Sequence, residues 1–269
     1  MDDQHFRQLL IRFELSWEGY RKVRKGVKKR LDRRMLRLGC RDSASYLKLM
    51  DIDEEERRVC RKLLTVSISR FFRDKALWRF LETRILPRVL DRPEKTVRVW
   101  SAGCACGEEA YSMKILYEEV KTRRVYSSKL EILATDLNPV YLEKAKQGIY
   151  SASSLKGVPE KRLSLYFDSP DKENSYKVST RHRNGIDFRE HDLLSKPWPG
   201  PFHIIFLRNN LLTYYQDGLK IPALEALVKQ LAPEGFLLIG SHERMPPIDS
   251  ALEPLRGCGY IFQDKSYAR

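Results

Sequence analysis

The chain has 269 residues, of which 42% are hydrophobic, and a formal net charge of +14. This length supports a core of useful size in one large domain or in two smaller ones. No run of about 18 apolar residues is present, so no membrane-spanning helix is expected. The acidic start of the chain lacks the pattern of a secretory signal, and we expect a cytoplasmic protein without direct membrane insertion.

The excess of positive charge predicts an acidic partner, which could be a nucleic acid, an anionic membrane or an acidic protein surface. Five scattered cysteines do not predict a disulfide framework, and reduced thiols are the default expectation. Cys104 and Cys106 have no second cysteine pair and no histidine nearby. We therefore expect no metal site.

The N-terminal third has the periodicity of amphipathic helices. Apolar residues at helical spacing predict a short helix over residues ~3–14 and a longer one from Trp17 to Leu38, ended by Gly39. Ten cations crowd residues 21–37 of the longer helix: Arg21, Lys22, Arg24, Lys25, Lys28, Lys29, Arg30, Arg33, Arg34 and Arg37. Such a run can be a solvated face, but its density favours a docking surface for an acidic partner.

Two further helices complete a predicted helical bundle over residues 1 to about 65. Ser43 is expected to cap a helix through Met50, and the acidic run from Asp51 starts another that continues to Leu64.

The next segment, residues 65–74, places hydroxyl groups and two arginines around a Phe-Phe pair. Ser69 could cap a helix from Arg73 to Leu86, or Arg73 could face a ligand carboxylate, and spacing alone leaves both alternatives open. Pro87 to Thr96 is predicted to end that helix and to link it to a sheet.

A strand, a glycine turn and a helix follow over residues 97–111. Val97, Val99 and Trp100 predict a buried strand, and Gly103 and Gly107 allow backbone to approach a ligand closely. This is the first unit of a nucleotide-binding α/β sheet. The Gly-x-x-x-Gly spacing does not suit a pyrophosphate, whereas S-adenosylmethionine, which has no phosphate, fits.

The next apolar strand, residues 132–136, ends in an acid that points to the same ligand. Asp136 could accept hydrogen bonds from both ribose hydroxyls in the crevice outside the strand ends. The alternative is that Asp136 caps the helix beginning near Pro139. The glycine turn favours the ribose role.

Beyond the helix that Gly148 closes, the pattern changes. Short alternating segments at 163–167, 176–180 and 186–188 predict a small antiparallel excursion from the sheet. Doubly wound order resumes with a strand at 202–207, whose carboxyl end carries Arg208-Asn209-Asn210. A helix at 218–231 and strands at 236–240 and 260–263 complete the predicted fold.

Four ordered motifs resemble those of the CheR type of chemotaxis-receptor glutamate O-methyltransferases. They are Phe-Phe-Arg-Asp at 71–74, Trp-Ser-Ala-Gly-Cys-Ala-Cys-Gly-Glu-Glu-Ala-Tyr-Ser at 100–112, Ala-Thr-Asp-Leu-Asn at 134–138 with Lys-Ala-Lys-Gln-Gly-Ile-Tyr at 144–150, and Phe-Leu-Arg-Asn at 206–209. The resemblance covers nearly the whole chain. It implies a Rossmann-like class I methyltransferase domain at 87–269 with a β-subdomain at 150–190, preceded by a helical substrate-docking domain at 1–86.

The resemblance also implies the residues of the site. Arg73 would take a catalytic role, and the contacts to S-adenosylmethionine and its product S-adenosylhomocysteine would fall on Ser67, Ser69, Arg73, Glu109, Asp136, Asp192, Leu193, Leu207 and Arg208, beside the Gly103 turn. In some members of the family the β-subdomain holds a receptor tail peptide.

The chain departs from the family pattern at several positions. An amide before Phe-Phe-Arg is replaced by Ser67, and Asn-Leu-Leu becomes Asp192-Leu193-Leu194. The tyrosine associated with the transferred methyl group is replaced by Thr213, and Gly-His-Ser-Glu near the end becomes Gly-Ser-His-Glu at 240–243.

The leading hypothesis is methyl transfer from S-adenosylmethionine to glutamate side chains of an acidic helical protein docked on the basic helix at 21–37. The alternatives are a methyltransferase for a non-chemotactic protein or a small molecule, a catalytically weak S-adenosylmethionine-binding regulator, and a nucleic-acid methyltransferase. No Asp/Asn-Pro-Pro-Tyr-type motif is present, and the basic helix lies outside the predicted catalytic domain. We therefore expect no nucleic-acid partner.

Overall fold

The computed structural model describes residues 1–124, 126–168 and 174–266. Five helices form the N-terminal bundle: α1 (Asp3–Arg12), α2 (Trp17–Tyr20), α3 (Arg24–Arg37), α4 (Ser43–Ile52) and α5 (Glu54–Leu64). Their apolar faces pack into one cluster that includes Phe6, Leu31 and Tyr46. No helix in the described part of the chain is long and apolar enough to cross a bilayer.

The helix predicted from Trp17 to Leu38 is interrupted, so this prediction is wrong at Arg21 to Val23. The two helices on either side of this turn pack against different neighbours. α2 packs closely against the backbone at Thr213, since a Cβ atom on Gly19 would lie 2.2 Å from the Thr213 carbonyl oxygen, whereas α3 packs against α5. The chain turns between these two contacts. The cap of α4 is also not Ser43, because the Asp42 side chain accepts from the amide of Ser45.

The helix after the Phe-Phe pair runs past Pro87, contrary to expectation. It consists of α6 (Lys75–Phe80), a π-helical turn (Leu81–Ile85) and α7 (Leu86–Leu90). A π-helical turn shifts the hydrogen-bond register, so a proline just after it need not interrupt a regular ladder. The predicted linker therefore begins only after Leu90.

The sheet has seven strands: β1 (Thr96–Ala102), β2 (Lys129–Asp136), β5 (Ile186–Glu190), β6 (Phe202–Leu207), β7 (Leu231–Ile239), β8 (Leu252–Leu255) and β9 (Cys258–Asp264). Their order in the sheet is β5-β2-β1-β6-β7-β9-β8. The first five in space, β5 to β7, are mutually parallel, and β9 pairs antiparallel with both β7 and β8. Strand β8 was not predicted.

Helices cover both faces of the sheet: α8 (Glu108–Arg124), α9 (Pro139–Gln147), α12 (Leu211–Tyr214) and α13 (Asp217–Val228). Alternate strand residues enter different clusters, as Ile204 and Phe206 pack on one face while Ile205 and Leu207 pack on the other. This period of two is what a strand buried on both faces requires. The Rossmann-like methyltransferase fold predicted from the sequence is confirmed.

The antiparallel excursion is smaller than predicted. It consists of β3 (Ile149–Ser151) paired with β4 (Ser175–Lys177), together with α10 (Glu160–Tyr166) and α11 (Thr180–Arg183). Residues 169–173 of the predicted 150–190 insertion lie outside the described residues.

Two of the three segments predicted as strands of this excursion have a different structure. Residues 163–167 mostly belong to α10, because Pro159 starts a helix in which Leu163 and Tyr166 face the core while Leu165 is 46% exposed. Residues 186–188 belong to β5, where Phe188 pairs with Ala134 in the main sheet.

The boundary predicted between residues 86 and 87 stays a prediction. The core that covers one sheet face includes Phe71, Trp78, Leu81, Ile85 and Val89. The bundle has its own cluster, whose buried members end with Leu64, and Val66, Tyr214 and Tyr215 pack against it. This packing favours a division near residue 65.

The carboxyl end of α5 joins the bundle to the sheet domain. Within the bundle, Tyr20 donates to the carbonyl oxygen of Leu64 at 2.9 Å, and Arg30 donates to those of Leu63 at 3.0 Å and Thr65 at 2.6 Å. A helix leaves its last carbonyls without intrahelical partners, so these side chains complete its hydrogen bonding.

The sheet domain holds the same helix end from the other side. The Asn138 side chain donates to the carbonyl oxygen of Lys62 at 3.3 Å and to the Thr65 hydroxyl at 3.1 Å, and the Tyr141 hydroxyl donates to the Thr65 carbonyl oxygen at 3.4 Å. The end of α5 is therefore fixed between α2, α3 and α9.

Replacing Arg30 by alanine should destabilise the protein by about 1–3 kcal/mol, because two partly buried carbonyl groups lose their charged donor. Lys29→Ala removes a neighbouring cation whose side chain is exposed and should change stability little. Urea unfolding of both variants measures the difference. Equal stability of the two variants would show that the Arg30 contacts contribute nothing.

Candidate functional site

A cleft opens at the carboxyl ends of the parallel strands, where the helical bundle meets the sheet. Eight of the ten predicted cofactor-site residues line it: Ser69, Arg73, Gly103, Glu109, Asp136, Asp192, Leu193 and Arg208. Ser67 is half-buried outside the lining, and the Leu207 side chain is buried in the core of one sheet face. The structure thus brings together residues separated by up to 139 positions in the chain.

The glycine turn is built for close approach of backbone. Gly103 and Gly107 have φ angles of +83° and +90°, which side-chain-bearing residues rarely adopt. A Cβ atom on Gly103 would lie 2.0 Å from the Asn210 side-chain nitrogen. The amides of Gly103 and Cys104 both donate to the carbonyl oxygen of Thr135 at 2.8 Å, which ties the turn to β2.

Asp136 bridges two turns of the cleft. Its carboxylate accepts from the amide of Ala105 at 2.9 Å and from that of Asn138 at 2.9 Å. The cap of α9 is Asn138, which accepts from the amide of Val140, so the capping alternative for Asp136 is wrong. Burial raises the pKa of Asp136, although these amide hydrogen bonds oppose the effect.

Arg208 lies almost fully buried between two carboxylates. Its guanidinium donates to Glu109 at 2.9 Å and forms an ion pair with Asp74. The hydroxyl of Ser101 donates to the other oxygen of Glu109 at 2.7 Å. Burying charges is costly unless they are paired, so this cluster holds Glu109 in a single orientation at the cleft wall.

Arg73 lies in the wall of the same cleft. Its guanidinium donates to the carbonyl oxygen of Ile68 at 2.8 Å, and its own carbonyl accepts from the Trp78 indole at 2.7 Å. The N-cap position of α6 is Asp74, which makes no side-chain capping bond, so the capping role considered for Ser69 is wrong. The Phe-Phe pair is buried in the core, as that alternative expected.

Three tyrosines that were not predicted as site residues line the cleft: Tyr20, Tyr214 and Tyr215. Burial raises the pKa of Tyr214 to about 12, an effect that the nearby cation of Arg73 opposes. Tyr214 and Tyr215 are also held to the bundle, because the amide of Ser16 donates to the Tyr214 carbonyl oxygen and Leu15 forms a bridge with Tyr215. A tyrosine pair directly after an altered motif was the available sequence signal.

Thr213, which replaces the family tyrosine, is occupied elsewhere. Its hydroxyl donates to Glu243, whose carboxylate also accepts from the amides of Gly240 at 2.7 Å and Asn209 at 2.9 Å. Glu243 therefore organises the carboxyl ends of β6 and β7. The altered order at 240–243 leaves this acid in place.

A third carboxylate of the cleft is paired with a residue that sequence reasoning missed. Arg61 of α5 lines the cleft and forms two hydrogen bonds with Asp192. The two residues are 131 positions apart, and nothing local in the sequence signals the contact.

The lining suits a nucleoside that carries an amino group. Gly103 allows close approach, and Glu109, Asp136 and Asp192 offer acceptors for hydroxyl and amino groups. Of the four lining arginines, Arg61, Arg73 and Arg208 donate to protein acceptors, and Arg70 is exposed to solvent. The site therefore matches S-adenosylmethionine better than a phosphorylated ligand.

Comparison with known proteins gives the same result. Residues 67–259 match the family model described as the CheR methyltransferase, SAM binding domain. The chain is 35% identical over 74% of its length to a chemotaxis protein methyltransferase of Listeria monocytogenes, covering 74% of that protein. It is 30% identical to the one of Escherichia coli, over 93% of this chain and 87% of that protein.

A third relative extends the similarity. The chain is 33% identical to chemotaxis protein methyltransferase 2 of Vibrio cholerae, over 77% of this chain and 72% of that protein. The chain belongs to the CheR methyltransferase family and is an S-adenosylmethionine-dependent methyltransferase.

Proposed function

We propose that the enzyme methylates glutamate side chains of an acidic helical protein of the chemotaxis-receptor type, forming methyl esters. The observation that carries this proposal is an exposed row of cations on α3, in the same bundle that walls the cofactor cleft. The names of the curated relatives support a receptor of chemotaxis as the substrate. Location in the cytoplasm stays a prediction.

The proposed methyl transfer does not require the protein to remove a proton from the substrate. A glutamate carboxylate has an ordinary pKa of about 4.3 and is ionised at neutral pH, so no general base is needed. The bound cofactor supplies an electrophilic methyl group. The protein aligns the carboxylate with this group and excludes water from the cleft.

The strand order suggests how the cofactor would lie. Arg208 and Glu109 are near the ends of β6 and β1, Asp136 is at the end of β2, and Asp192 follows β5. We assign the amino-acid end to Glu109, the ribose to Asp136 and the adenine to Asp192-Leu193. The amino-acid end, the ribose and the adenine would then lie in this order along the carboxyl ends of the strands from β6 to β5.

Arg73 is proposed to orient the substrate carboxylate. It lies in the cleft wall, and its contact with the Ile68 carbonyl oxygen leaves other guanidinium donors for a ligand. Ile68 itself is 62% exposed and lines the cleft, which suits a surface that a protein substrate would contact. The contacts expected at Ser67, Ser69 and Leu207 stay predictions.

The proposed docking surface includes only some of the ten cations of residues 21–37, because four of them already bind other groups of the protein. Lys28 and Arg24 pair with Asp3, Arg34 pairs with Glu56, and Arg30 binds carbonyl groups of α5. The remaining cations are exposed and have no acidic partner among the described residues: Arg21, Lys22, Lys25, Lys29, Arg33 and Arg37. Lys25, Lys29 and Arg33 are spaced by four residues and so lie on one helix face.

Incubation with methyl-labelled S-adenosylmethionine and an acidic helical receptor fragment should label the fragment. The label should be released as volatile methanol in mild alkali, because esters hydrolyse there and N-methyl groups do not. Label that is stable to alkali would point to another acceptor. No transfer to any protein, with normal cofactor binding, would support a regulator that only binds the cofactor.

Asp136→Asn should weaken S-adenosylmethionine binding by about 1.5–3 kcal/mol, or roughly 10- to 150-fold, because a charged acceptor is lost at the cleft. Asp187→Asn on the adjacent strand removes an exposed acid paired with Arg189 and serves as the control. Wild-type affinity should fall as the pH is lowered, because protonation removes the charged acceptor. Since burial raises the pKa of Asp136, this loss should begin at a higher pH than it would for an ordinary aspartate. Calorimetry that finds equal affinities for both variants would contradict the ribose assignment.

Replacing Lys25, Lys29 and Arg33 together by glutamate should raise KM for the protein substrate and leave cofactor affinity unchanged. Wild-type KM should rise with salt, since surface charges are screened with a Debye length of about 8 Å at physiological ionic strength, and the variant should lose this dependence. Arg88, Lys95 and Lys129, exposed residues outside α3, make a control with the same charge change. Equal KM and equal salt dependence in both triple variants would assign α3 to a solvated face.

A further inference from the structure

Among the described residues, Asp192 is the only carboxylate of the cleft that forms an ion pair with the helical bundle. Arg61 Nη2 donates to Asp192 Oδ1 at 3.0 Å, and Nη1 pairs with Oδ2. Both side chains line the cleft, and each is less than one-third exposed. A bidentate arginine–carboxylate pair fixes the plane of the carboxylate as well as its position.

The number of acceptor positions on Asp192 shows what remains for a ligand. A carboxylate has two oxygens with about four lone-pair positions. Within the described residues, Oδ1 accepts from Arg61 and from the amide of Leu194 at 3.0 Å, and Oδ2 accepts from Arg61 alone. One acceptor position is therefore free on Oδ2.

We propose that Arg61 is a positioning residue for the adenine end of the cofactor, which holds Asp192 so that its free acceptor position receives the exocyclic amine of the base. This inference rests on the proposed orientation of the cofactor along the sheet edge. The base lies next to Asp192 because β5 is the edge strand beyond Asp136.

An aspartate in this place selects more strictly than the asparagine that the family usually has. An ionised carboxylate only accepts hydrogen bonds, whereas an asparagine side chain can rotate to accept or to donate. A keto group in place of the adenine amine would therefore meet an acceptor in this enzyme and a possible donor in a relative with asparagine. Arg61 also balances a charge that would otherwise be partly desolvated without a partner.

The Arg61 contact makes the bundle part of the cofactor site. Next to it, Lys62 pairs with Glu190 at 3.0 Å, joining the same two elements. Neither Lys62 nor Glu190 lines the cleft, and their side chains are more exposed. A variant of this second pair therefore tests whether the contact between the bundle and the sheet affects binding in general, while variants of the Arg61–Asp192 pair test a specific effect on the base.

The test compares S-adenosylhomocysteine with S-inosylhomocysteine, whose base has a keto group in place of the amine and a hydrogen on N1. Isothermal titration calorimetry on the full chain gives both affinities. Wild type should prefer the amino ligand on the order of 10- to 100-fold. Asp192→Asn should reduce the preference to within about 3-fold, and Arg61→Ala should reduce it severalfold.

Two further variants keep the test decisive. Arg61→Lys keeps the positive charge but not the bidentate geometry, so it should fold normally and still lower the preference. Glu190→Gln, the matched control, should leave the preference at the wild-type value.

The outcomes separate the two levels of inference. If Asp192→Asn and the Arg61 variants lower both affinities by the same factor, the pair only clamps the bundle and the role of Arg61 is refuted. If wild type binds S-adenosylhomocysteine without preferring the amino ligand, the adenine contact at Asp192 is refuted while the methyltransferase assignment stands. If wild type binds neither ligand, the proposed cofactor site falls, and this inference with it.

Discussion

The hydrogen bonds at the carboxyl end of α5 are the constraint on which the site depends. Tyr20 and Arg30 hold the carbonyls of this helix end from within the bundle, and Asn138 and Tyr141 hold it from the sheet domain. Because buried carbonyl groups are costly to leave unpaired, these contacts fix the angle between the two parts. The segment that follows forms one wall of the cleft as a direct result, through Thr65, Val66, Ile68, Ser69 and Arg70.

Positive charge serves two separate purposes in this molecule. Inside the cleft, Arg61 and Arg208 are each paired with carboxylates, which orients Asp192 and Glu109 without adding net positive charge to the site. Outside it, the cations of α3 that have no acidic partner in the described part of the chain lie on an exposed face, which we propose as the docking surface for an acidic protein. A site for a cationic, phosphate-free cofactor and the proposed docking surface for an anionic substrate can coexist because the two are separated in this way.

Local backbone strain is concentrated where the cleft is formed. Phe72 and Asp74 have φ angles of +50° and +64°, which are unfavourable for residues with side chains. The amide of Phe72 donates to the Ser112 hydroxyl, and Asp74 is paired with the buried Arg208. These contacts compensate the unfavourable conformations and direct the neighbouring Arg73 into the cleft wall.

Elements with local signals could be predicted from the sequence alone. The strand ending in the Gly103 turn and the strand ending in Asp136 follow from apolar runs and glycine chemistry over fewer than 20 residues each, and the family followed from ordered motifs. Local patterns misled where neighbours decided the outcome: residues 163–167 became mostly helical, and Pro87 was accommodated after a π-helical turn. The folded structure was needed to see which cations of α3 lack an acidic partner among the described residues and that Arg61 pairs with Asp192. Arg61 and Asp192 are 131 positions apart, and only folding of the chain brings them within hydrogen-bonding distance.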